Sequence, residues 1–170
     1  MATASQLENA GTIHKYDPAL DDDEQEWRLL WASSKLKAWV ENDLPELSSQ
    51  WRVETGPLEQ FDALTTVYAS GLPLVFEQQF KPFQPRPIQP LGDGVWYLKT
   101  PDLRIFGWFW KRDCFIGVVP DTAERVKKYN LYNGYREEVI RFRNELDLDE
   151  PKFIAGTDPN AVISNYDLPE

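Results

Sequence analysis

Three apolar runs decide the fold: GVWYLKT at 94–100, LRIFGWFW at 103–110 and CFIGVV at 114–119. Pro101-Asp102 separates the first two, and Lys111-Arg112-Asp113 the last two. Turn residues between runs rich in β-branched and aromatic side chains are the pattern of consecutive hairpins. Residues 94–119 are therefore predicted to form a three-stranded antiparallel meander. Alternation in the middle run sends Leu103, Ile105 and Phe109 to one face and Arg104, Phe106, Trp108 and Trp110 to the other. Both faces are apolar, so this strand is predicted to be central and covered on both sides. Gly107 interrupts it, the mark of a bulge or of a close backbone approach.

Before the meander, residues 24–43 read as a helix, with Trp27, Leu30 and Trp31 on one face and Leu36, Trp39 and Val40 on the next turns. The run Asp21-Asp22-Asp23 suits the positive end of its dipole, and Pro45 marks its end. QWRVE at 50–54 alternates like a short strand, and Gly56-Pro57 is a break. Residues 58–69 carry Leu58, Phe61, Leu64 (or Thr65) and Tyr68 at helical spacing, with Gly71 as the stop. Four prolines in 81–90 predict an extended connector.

After the meander, Asp121 and Glu124 have capping-box spacing, which predicts a short helix to about Tyr129. A longer helix runs from Gly134 through Leu146, with Tyr135, Val139, Phe142 and Leu146 as its apolar stripe. The predicted class is α+β. A three- to four-stranded antiparallel sheet has N-terminal helices packed on it and a C-terminal helical extension. Residues 1–22 are expected to be a flexible acidic tail, 23–154 a single domain and 155–170 an acidic C-terminal tail.

Composition narrows the chemistry. A lone cysteine, Cys114, cannot form an internal disulfide, and within an apolar run it reads as a small hydrophobe. The lone histidine, His14, lies in a polar segment, which argues against Ser–His or Cys–His catalysis and against a histidine-built metal site. LDLDEP at 146–151 lacks the glycine turn of a calcium loop. Phosphate loops, dinucleotide fingerprints, zinc spacings and nucleophile elbows are absent, so neither metal nor cofactor is expected. With no signal-peptide core and no apolar window of membrane-spanning length, a cytoplasmic protein is expected, with no membrane partner.

The net charge of −10 is unevenly spread. Residues 103–143 hold nine basic and five acidic side chains, while 1–60 and 144–170 carry −7 and −6. A basic centre between acidic ends is either an ordinary solvated face or a patch for nucleic acid or a protein partner. Arg104, a guanidinium within an apolar strand, needs a partner or an opening to water. It is either a structural residue or part of an anion site for RNA phosphate, with Lys99, Lys111 and Arg112 nearby.

The stretch PLGDGVWYLKTPDLRIFGWFWKRDCFIGV resembles the central hairpin of the HigB-like branch of the RelE toxin superfamily, over about residues 88–119. The resemblance implies a small α+β domain with ribosome-dependent messenger-RNA endoribonuclease activity, in which basic groups orient RNA and stabilise transition-state charge. It implies Arg104 and Lys99 as catalytic residues; Lys111 and Arg112 are expected to bind substrate because the strands or turns that carry them can neighbour Arg104. Tyr97 stands where the family has glutamate, and VVPDTAERVKK replaces its lysine- or arginine-rich continuation, so no role passes to Arg125, Lys127 or Lys128. Two functions follow as expectations. One is a toxin-type mRNA interferase or its inactive descendant, with ribosome, mRNA and an antitoxin as partners. The other is a non-catalytic interaction or inhibitor protein on the same scaffold, encoded by a phage or mobile element.

Overall fold

A computed structural model describes residues 1–18, 20–49, 55–72 and 88–165. The strand expected at 50–54 and residues 81–87 of the proline-rich connector lie outside the described residues.

The meander is present as β4 (Val95–Lys99), β5 (Leu103–Lys111) and β6 (Cys114–Thr122), paired antiparallel. The sheet is larger than expected. Ile88–Gly92 adds β3 beside β4, and on the other side Leu29–Ala32 (β2) pairs parallel with β6, with His14–Lys15 (β1) antiparallel to it. Among the described residues the order is β1-β2-β6-β5-β4-β3, a mixed six-stranded sheet in place of an antiparallel one of three or four strands.

β2 corrects the helix expected over 24–43. Leu30 and Ala32 join the core on one face of the sheet, while Trp31 joins the core on the other. A short run apolar on both sides has no period that separates a buried strand from a buried helix. Burial beside β6 decides for the strand. Helix begins only at Ser33, whose hydroxyl oxygen accepts from Leu36 N at 3.1 Å and whose O–H donates to Val118 O at 2.7 Å. That helix, α2, is Ser34–Ala38, continued by wider and tighter turns through Glu46. Trp27, assigned to the apolar face of the expected helix, is 61% exposed.

Helices cover both faces. Phe61, Leu64 and Tyr68 of α3 (Pro57–Ser70) pack with Leu36 against Trp96, Leu103, Ile105 and Phe109. α3 ends at Gly71, which takes the left-handed conformation expected of a glycine stop (φ 77°). On the other face, Val126 of α4 (Ala123–Tyr129) and Val139 of α5 (Tyr132–Glu145) pack on Phe106, Trp108 and Trp110. The predicted division of β5 side chains between two faces holds, and every residue from Leu103 to Trp110 is buried. Gly107 is both a bulge and a close approach: the register shifts there, and a Cβ would press on the Phe115 ring and the Ile116 carbonyl.

Both ends of the described chain are docked. Ala4–Asn9 forms α1, capped by a reciprocal Thr3–Gln6 box, and Ala4, Leu7 and Ile13 are buried. Ala2 bridges to Leu148. A short helix, α6 (Pro159–Val162), buries Val162 and Ile163. The expected flexible tails 1–22 and 155–170 are thus corrected over 1–15 and 155–165: sparse apolar residues suffice when each meets an existing core. The α4 cap is Thr122, not Asp121; its hydroxyl oxygen accepts from Arg125 N at 3.3 Å.

No helix among the described residues is long and apolar enough to cross a membrane.

Candidate functional site

The β4–β5 turn is built from below. Gln60 of α3 is buried, and its amide oxygen accepts from the Thr100 hydroxyl at 2.7 Å and from Asp102 N at 3.0 Å. Its Nε2 donates to Asp102 Oδ2 at 2.6 Å. The Thr100 hydroxyl oxygen also accepts from Leu103 N at 3.1 Å. A satisfied polar network of this kind fixes a turn more firmly than the turn sequence alone. It hands a rigid Pro101-Asp102 corner to the start of β5.

Arg104 follows that corner and is 2% exposed. Its Nη1 donates to Thr100 O at 2.7 Å and to Leu103 O at 2.8 Å, while its buried Nε has no hydrogen-bond partner. No ion pair joins it to a described carboxylate. Asp121 stands opposite it on β6 but is committed elsewhere. Asp121 Oδ2 accepts from the Tyr135 hydroxyl at 2.6 Å, and Asp121 pairs with Arg125. Burial first, and then that bond and charge, push the Tyr135 phenol up to about 12.

Lys99 is the direct cross-strand partner of Arg104 and is half-buried. The two side chains therefore share one sheet face. Lys127 of α4 approaches the same corner; desolvation, and after it the Arg104 charge, lower its pKa. An aromatic layer adjoins them. The Tyr97 ring is 5.4 Å from Phe106 and 5.5 Å from Tyr132, and Phe106 is 5.2 Å from Tyr135.

The structure thus brings Arg104 and Lys99 together and adds Lys127, which the sequence reading set aside. Lys111 and Arg112 are not part of this corner. They are exposed at the β5–β6 turn, seven residues along the strand, roughly 23 Å away at about 3.3 Å per residue. The Lys111 ammonium lies over the Trp110 ring, 4.6 Å from its centroid. Lys127 would have been found only by knowing that α4 folds back beside the start of β5.

The outer surface of α4 carries exposed Arg125, Lys127, Lys128 and Tyr129. The Tyr129 ring, 56% exposed, has Arg125 at 5.5 Å and Lys128 at 5.4 Å from its centroid. No group of three or more His, Cys, Asp or Glu that could hold a metal occurs among the described residues.

Comparison with protein-family models, with curated proteins and with solved structures returns no match.

Proposed function

We propose that this chain is a non-catalytic binding protein on a RelE/HigB-like scaffold, and that the outer surface of α4 meets an acidic face of a partner protein. One observation carries the reading: the guanidinium expected to touch RNA is buried, with Nη1 committed to two main-chain carbonyls of its own turn. A group that stabilises charge developing on a phosphate has to reach that phosphate at about 2.7–3.1 Å. Arg104 could do so only by leaving Thr100 O and Leu103 O. On the outer surface of α4 the exposed Arg125 and Lys128 flank the Tyr129 ring, a grouping suited to an anionic protein surface.

The endoribonuclease reading has one observation in its favour, the placement of Lys99 and Lys127 beside Arg104. The two readings separate on purified protein added to a translating extract, with mRNA 5′ ends mapped. The binding reading expects no ribosome-dependent cuts. Cuts that disappear in a folded Arg104→Ala variant would overturn it.

A further inference from the structure

We propose that the half-enclosed pocket between β1, β2, α2 and α3 is a binding site for one small, neutral, single-ring aromatic molecule. It holds a volume of about 170 Å³. An enclosed apolar cavity of roughly 150 Å³ accepts a benzene-sized guest, so this pocket, open on one side, has room for a single ring. The pocket lies on the sheet face opposite Arg104, so a ligand there would bind whatever the role of that residue.

Its floor is apolar for a reason visible in the strand pattern. Leu30 and Ala32 stand two apart on β2 and so share a face. Ala32, the smallest side chain there, leaves the space that Leu36, Val40 and Phe61 surround. Tyr16 meets Phe61 edge-on, with centroids 5.3 Å apart and an interplanar angle of 83°. A ring entering beside this pair meets both an aromatic face and an aromatic edge, the two surfaces that aromatic contacts favour.

The mouth selects for neutrality. Its charged groups already have partners: Lys15 pairs with Glu26 and with Asp17, and Lys37 stands 4.0 Å from Glu41. The ring of His14 shares a hydrogen bond with the Ser34 hydroxyl at 3.0 Å. A charged ligand would have to break one of these pairs without gaining a free counter-ion, whereas a neutral ring only displaces solvent.

The test is a titration of the full chain with benzyl alcohol, benzoate and benzylammonium, read by methyl NMR. Saturable shifts at the methyls of Leu30, Leu36 and Val40, with benzyl alcohol bound at least as tightly as either ion, are expected. Val40→Phe, on the half-buried wall, should weaken benzyl alcohol by tenfold or more, and Ala32→Leu should do the same if it folds. No saturable shift in the wild type, a tenfold preference for either ion, or unchanged binding in folded Val40→Phe would each overturn the proposal.

Discussion

Trp108→Ala should be the most damaging single truncation in the sheet. The Trp108 side chain is fully buried at the centre of β5, with its ring 6.1 Å from Phe142 of α5. Its Nε1–H donates to Lys152 O at 2.7 Å, tying the segment after α5 to the core. Removing a buried indole leaves a cavity that neighbouring strands cannot close, at a cost of about 3–5 kcal/mol. The orphaned carbonyl places the expected loss near the top of that range, about 4–5 kcal/mol. For a chain of this length that lowers Tm by roughly 8–20 °C. Trp108→Phe keeps most of the ring but not the donor, and should lose about 1–2 kcal/mol. Urea unfolding followed by far-UV circular dichroism measures both. A loss below about 1 kcal/mol for the alanine variant would refute the two-sided burial of β5. Equal losses for the two variants would show that the Lys152 bond, not packing, holds the residue.

Arg28 is fully buried beside Asp113, and its guanidinium donates to Tyr68 O, Leu72 O and Ser164 O at 2.7–2.9 Å. Arg28→Met keeps the volume but strips these acceptors, and should lose about 3–5 kcal/mol in the same urea assay. For Tyr135, the folded phenol titrates near 12 and the unfolded one near 10, so its contribution is whole below pH 10 and fades as pH rises through 12. Stability measured across that window should therefore fall with pH, and Tyr135→Phe should flatten the fall. Leu7→Ala, in a helix that would be dispensable if residues 1–22 were loose, should lose about 2–3 kcal/mol by calorimetry.

The meander was legible because Leu103 to Trp110 is apolar on both faces and bounded by unambiguous turn residues, and α3 and α5 were legible from their apolar spacing. β2 was not. Leu29–Ala32 contains no turn signal and fits either period, and its pairing with β6 spans more than eighty residues of sequence. The docked ends were hidden for a related reason: Leu7 and the pair Val162-Ile163 are sparse hydrophobes in polar segments, and their burial depends on surfaces assembled elsewhere. At the site, the Lys99–Arg104 neighbourhood followed from the hairpin register. The burial of Arg104 did not, because its acceptors are main-chain carbonyls, and every sequence supplies those. Lys111 and Arg112 looked close to Arg104 in number, yet β5 is long enough to carry them to the far end of the sheet.

Equilibrium unfolding of Arg104→Ala tests the central claim most directly. If the guanidinium is the clamp on the β4–β5 turn, its removal frees Thr100 O and Leu103 O in a buried corner, and the variant should lose about 2–4 kcal/mol relative to the wild type. A variant as stable as the wild type would contradict the claim: the turn would then hold without the arginine, and the residue would be left with a role outside the fold.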